Sequence, residues 1–179
     1  MTDPHSLVRR AEKRSFDGMR RGTSVAEVPA QAIAEFVRPD GKTSLWDDGA
    51  DGSRRKLVVK ALLLNRESIG RMPIAALWAQ SLSPDVRARI VRKDGASPVP
   101  SANRHHFELQ DPRRYDYAEF ALAVVDRADF EEITGEAART LVEEAFPARE
   151  FSLDAVRSEK LRKEIKKLLI RRKRLPADS

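Results

Sequence analysis

Near the end of the chain the apolar residues fall at intervals that gather on one side of an α-helix. Leu161, Ile165, Leu168 and Leu175 are separated by four, three and seven positions, and Leu169 widens the seam. On the opposite side of the same wheel lie Lys160, Lys163, Lys167, Arg171 and Arg174. Arg172 occupies a seam position, where its alkyl stem packs while its head escapes to water. Ser152 suits a helix cap and Pro176 a stop, so the spacing predicts a helix from 152 to about Arg174. Either the rest of the chain or a partner must then offer an apolar surface for that seam.

The 179 residues are enough for one domain and its own hydrophobic core. The division this suggests is a globular body over 1–151 and a basic amphipathic helix with a short tail over 152–179. Residues 1–22 form either a basic arm or a helix, since Leu7, Val8, Ala11, Phe16 and Met19 have helical spacing among arginines. There is no cysteine, which removes disulfides, thiolate nucleophiles and Cys-based zinc sites and suits a cytoplasmic location. No apolar run approaches bilayer length and no secretory signal is visible at the start, so membrane partners are not expected.

The net charge of +6 is unevenly laid out. Residues 1–103 carry 18 Lys/Arg against 12 Asp/Glu, residues 104–151 carry 6 against 12, and residues 152–179 carry 10 against 4. Two arrangements suit this pattern. Either the acidic stretch with Glu131, Glu132, Glu136, Glu143 and Glu144 neutralises the tail inside the fold, or the tail faces an external polyanion.

The pattern along the chain points to an α+β fold: a small, mostly antiparallel sheet with packed helices and a long basic C-terminal helix. A hairpin is expected over 33–46, turning at Arg38, Pro39, Asp40 and Gly41, with strands at 106–110 and 120–125. Segment 47–53 reads as an exposed loop and 94–103 as a loop or linker. The apolar run 56–64 fits a buried strand or a helix capped by Ser53 equally well. Helices are expected over 73–81, from Ser83, and from Thr134 to about Phe146.

Catalytic signatures mostly fail on spacing. Gly41, Lys42, Thr43 and Ser44 resemble the end of a phosphate-binding loop, but Phe36 stands where the first glycine must be and Pro39 removes an amide. A nuclease arrangement of Asp85 with Glu108, Leu109 and Gln110 lacks its lysine, and Glu164, Ile165 and Lys166 sit on a helix where i, i+2 residues diverge. His105 and His106, being adjacent, face opposite sides of a strand and cannot share a metal. No cofactor and no metal site is implied.

Segment 104–119, from Arg104 at one end to Glu119 at the other, concentrates two histidines, three arginines, two tyrosines and several acids. An enzyme acting on an anionic or phosphorylated substrate would place a histidine there as acid–base and Arg113 or Arg114 as anion holder. The terminal helix points elsewhere. Lys160, Lys163, Lys167, Arg171 and Arg174 can follow a phosphate backbone, and with no aromatic residue after Phe151 they would do so without stacking on bases. The leading expectation is a non-enzymatic, nucleic-acid-associated accessory protein that reads no sequence. A protein-interaction subunit of a larger complex is the alternative.

Overall fold

The computed structural model describes residues 5–37 and 43–172. Its centre is a six-stranded sheet, antiparallel at every pairing, in the order β4-β5-β2-β1-β3-β6. The strands are β1 (Ser6–Arg10), β2 (Thr43–Asp47), β3 (Met72–Trp78), β4 (Ile90–Arg92), β5 (His106–Leu109) and β6 (Asp129–Ile133). The helices are α1 (Ala30–Ala34), α2 (Arg55–Leu64), α3 (Pro84–Ala88), α4 (Pro100–Asn103), α5 (Arg114–Arg127), α6 (Gly135–Ala145) and α7 (Glu159–Arg171). The fold is therefore α+β. Among the described residues no helix is long and apolar enough to cross a membrane.

Strand alternation sorts the core into two layers. Val8, Trp46, Met72, Ile74 and Ala76 face α2, α4, α6 and α7. Leu7, Leu45, Ala75, Leu77, Phe107 and Leu109 face α1, α3 and α5. The middle of the sheet is thus dry on both sides. There the apolar/polar alternation of a half-exposed strand is lost, and β3 is buried over six consecutive residues.

That double burial explains where the sequence expectations fail. The segment expected to be a helix at 73–81 is strand β3. Its Pro73, Ile74, Leu77 and Trp78 do lie at helical spacing, but both faces are covered and Pro73 stands near the strand start. The N-terminal segment read as an arm or a helix supplies β1, the central strand, with Ser6, Leu7 and Val8 wholly buried. The expected hairpin over 33–46 is instead α1 followed by β2, and its turn residues 38–41 lie outside the described residues.

The expected strand at 120–125 belongs to α5. Tyr117, Phe120, Ala121 and Val124 recur at helical spacing and cover the sheet. Segment 47–53 is not wholly exposed: Asp47 and Asp48 are buried. The expectations that hold are local ones. Strand β5 occupies 106–109, Ser83 Oγ accepts from Val86 N at 3.4 Å to start α3, and Thr134 Oγ1 accepts from Ala137 N at 3.1 Å to start α6. The 56–64 run is a helix, although Arg54 and not Ser53 holds the cap position.

Candidate functional site

The terminal helix begins later than its sequence suggests. Ser152 caps only a short 3-10 turn at Leu153–Ala155, and Ser158 Oγ accepts from Leu161 N at 3.2 Å to start α7. Leu161, Ile165 and Leu169 are completely buried against the α2/α6 layer, and Leu168 packs at its edge. The seam therefore runs at four-residue steps. Arg172 lies outside it, two-thirds exposed, with Nε donating to Glu143 Oε1 at 3.0 Å. Leu175 and Arg174 lie outside the described residues.

With that edge buried, Lys160, Lys163, Lys167 and Arg171 are exposed. Lys163 pairs with Glu159 one turn away at 2.7 Å. Among the described residues Lys160, Lys167 and Arg171 form no ion pair. The acidic stretch is largely engaged elsewhere. Glu131 meets Arg55 at 3.3 Å, Glu132 meets Arg71 at 2.8 Å, and Glu144 meets Lys56 at 2.6 Å. Among the described residues, Glu143 reaches the terminal segment only at Arg172. These acids thus neutralise the tail, among the described residues, through one contact, Glu143 with Arg172.

The sheet face beneath α7 is incompletely covered. His106 lies opposite Trp46, and Glu108 opposite Ser44. Their neighbours Phe107 and Leu109 point into the other layer. The four side chains on this face border a cleft of about 890 Å³, lined also by Arg10 at the end of β1, Arg66 after α2, Lys93 after β4 and Arg157 ahead of α7, with Glu67 and Asp94 beside them. That volume falls in the range of small-molecule sites, roughly 300 to 1,000 Å³.

Inside the cleft, His106 is 5% exposed and its ring lies against Trp46 at 4.8 Å between centroids. Its Nδ1 is 2.8 Å from the Lys93 carbonyl oxygen, so Nδ1 carries the proton and donates. Arg66 donates to the carbonyls of Gly70 and Arg71, at 3.2 and 3.0 Å, and to no carboxylate among the described residues. Burial first, then the like charge of Arg10, depresses the Arg66 pKa. A depressed guanidinium still keeps its proton at neutral pH, so the pair is a concentrated positive charge. Lys93 bonds Glu108 at 3.0 Å.

The segment 104–119 does not form one site. His105 turns away from the cleft, towards Arg54, whose guanidinium lies 3.4 Å from its Nδ1. Burial, followed by Arg54 and Arg104, holds the His105 pKa below its usual value. Asp116 is buried and gripped by both Arg89 nitrogens at 2.7 and 2.8 Å. Burial raises its pKa, but these bonds and the Arg113 amide at 2.5 Å outweigh it and hold the carboxyl low.

Glu119 accepts from Ser83, and Arg113 and Arg114 are exposed at the start of α5, on the opposite side of the sheet from His106. Only His106 and Glu108 of this segment border the cleft.

The failed motifs keep their structural roles. Phe36 is a core side chain, and Thr43 Oγ1 donates to its carbonyl at 3.2 Å. Asp85 lies in the first turn of α3 and pairs with Arg89 at 3.1 Å, across the sheet from Glu108. Among the described residues no cluster of three His, Cys, Asp or Glu could hold a metal ion. No protein-family model, curated protein or solved structure matches the chain. Arg10, Ser44, Arg66 and Arg157 were missed in the sequence. The one available signal was the polar pairing of Ser44 with Trp46, and of His106 with Glu108, at i, i+2 on two strands.

Proposed function

We propose that this chain is a nucleic-acid-associated protein that grips the phosphate backbone through α7 without reading base sequence. The observation that carries this is the orientation of the helix. Complete burial of Leu161, Ile165 and Leu169 turns Lys160, Lys163, Lys167 and Arg171 towards water. Those cations recur about once per turn over ~16 Å of helix. A rigid row of this kind displaces condensed counterions from a polyanion, which gives binding a steep salt dependence. The body's own carboxylates add support, because Glu131, Glu132 and Glu144 are tied to Arg55, Arg71 and Lys56, and among the described residues Lys160, Lys167 and Arg171 have no ion pair. The helix carries no aromatic side chain, so it positions the backbone and does not stack on bases.

Gel-shift titration of duplex and single-stranded probes at two salt concentrations tests this reading. Binding should weaken sharply with salt. The triple variant K160A/K167A/R171A should flatten the log–log salt slope by roughly 2 to 3, about 0.9 for each phosphate no longer neutralised. Absence of any complex at low salt, or a triple variant with unchanged slope, would overturn it.

A further inference from the structure

We propose that the cleft beside α7 is a binding site for a sugar phosphate, with Arg10, Arg66 and Arg157 holding the phosphate and Ser44, His106 and Glu108 the hydroxyls. Two independent observations meet there. The first is charge: Arg10 lies close enough to act on Arg66, which neutral carbonyls hold, and although Glu12 and Glu164 lie near it and Glu67 and Asp94 line the cleft, no carboxylate among the described residues bonds either arginine. Such forked guanidinium groups match the oxygens of a phosphate.

The second is a buried polar group with an open valence. His106 is 95% removed from water, yet among the described residues nothing hydrogen-bonds its Nε2. The residue itself lines the cleft, so Nε2 is the ring atom left for a ligand there. Because Nδ1 donates to the Lys93 carbonyl, Nε2 presents a lone pair. It therefore asks the ligand for a hydroxyl or an N–H.

The neighbouring groups select hydroxyls. Glu108 accepts, and Ser44 both donates and accepts, so the floor offers acceptors to several O–H groups at once. Trp46 does not serve as a stacking platform, since it is 3% exposed and its ring is already against His106. A ligand recognised mainly through an aromatic base is thus disfavoured relative to one recognised through a phosphate and a polyol. A pentose phosphate satisfies both halves, whether free, in a mononucleotide, or at the 5′ end of a strand.

Calorimetric titration of the full chain tests the site, with ribose 5-phosphate, inorganic phosphate, ribose, a nucleoside 5′-monophosphate and a 5′-phosphorylated oligonucleotide as probes. Ribose 5-phosphate should bind at least about tenfold more tightly than inorganic phosphate, the value of one or two hydrogen bonds to buried groups. Tighter binding of the nucleotide, or of the oligonucleotide by the K160A/K167A/R171A chain, would support the same site and name the ligand's source. Equal affinity for phosphate and ribose 5-phosphate, or no binding by ribose 5-phosphate and the nucleotide, would overturn the proposal.

Arg10→Ala and Arg157→Ala, both at exposed positions, should weaken every phosphate-bearing probe. His106→Ala should reduce ribose 5-phosphate binding about tenfold and leave inorganic phosphate unchanged. The exposed-arginine variants keep the test decisive should the buried His106 variant misfold. The K160A/K167A/R171A variant should keep its ribose 5-phosphate affinity, so loss of backbone binding by α7 and loss of the cleft ligand are separate results.

Discussion

The guanidinium of Arg55 meets the carboxylate of Asp48, Nε to Oδ2 at 2.5 Å, at a point where Asp48 has no exposure to water. The contact belongs to a closed ring. The Ser6 hydroxyl donates to Asp48, and Arg127 donates to Ser6. Asp129 completes the circuit, accepting from Arg55 at 2.7 Å and from Arg127 at 3.0 Å. The ring joins β1, the exit of β2, the start of α2, the end of α5 and β6. It also places a carboxylate partner beside a helix start occupied by Arg55 and Lys56, where a cation would otherwise oppose the helix dipole.

Removing one member strands its partners. Asp48→Ala should cost about 2 to 3 kcal/mol, because it removes a wholly buried carboxylate that the Arg55 guanidinium and the Ser6 hydroxyl both bond, although Arg55 keeps Asp129. Asp129→Asn should cost less, about 1 to 2 kcal/mol, because Asp129 is one-third exposed and solvent screens its loss. Urea denaturation of both variants checks the ranking. A smaller cost for Asp48→Ala would mean that the ring is not the support it looks to be.

Stability should respond to pH in two windows. The hydrogen bond from Arg55, against the opposing effect of burial and with help from Arg127, holds the Asp129 carboxyl below its ordinary value. Its contribution is complete above the unfolded value of about 3.9 and is lost as pH falls through the lower folded value. Asp129→Asn should flatten the curve below about pH 4. His105 is also held low, by burial first and then by Arg54 and Arg104. Its contribution is complete above about 6.5 and falls as pH drops towards its folded value, so His105→Gln should soften the decline below neutrality.

Ala128 ends α5 in the left-handed region, at φ 54°, with its N–H donating to the Val124 carbonyl at 2.9 Å. A side chain resists that conformation and glycine does not. Ala128→Gly should therefore stabilise the protein by about 0.5 to 1 kcal/mol, read as a higher thermal midpoint.

Ile165 sits fully buried between the two other anchors of α7. Ile165→Ala should cost about 2 to 4 kcal/mol through the apolar packing removed and the cavity left behind. Helix α7 should then exchange its amide hydrogens faster than α5 does. Equal protection in both helices would show that α7 is anchored by something else.

Glu159 withholds Lys163 from the outer row at 2.7 Å. On the proposed mode of binding, Glu159→Gln should raise affinity for duplex nucleic acid about two- to fivefold at low salt and little at high salt, since an exposed pair is weak and salt screens it. An unchanged gel-shift midpoint at low salt would count against Lys163 as a contact.

What could be read directly along the chain was set by near neighbours. The caps at Ser83 and Thr134 bond amides three residues away, and Leu161 and Ile165 declare a buried helix edge through a four-residue step. Strand β3 and helix α5 could not be read that way. Burial on both faces removed the alternation that marks a strand, and the short apolar run at 120–125 matches either element until a sheet lies against it. The cleft was less legible still. Arg10, Ser44, Arg66, His106 and Arg157 come from five separate segments, and no spacing links them. They meet because antiparallel pairing sets Ser44 opposite Glu108 and Trp46 opposite His106, while the docking of α7 brings Arg157 alongside. Long-range pairing, and not local preference, placed those charges around one hollow.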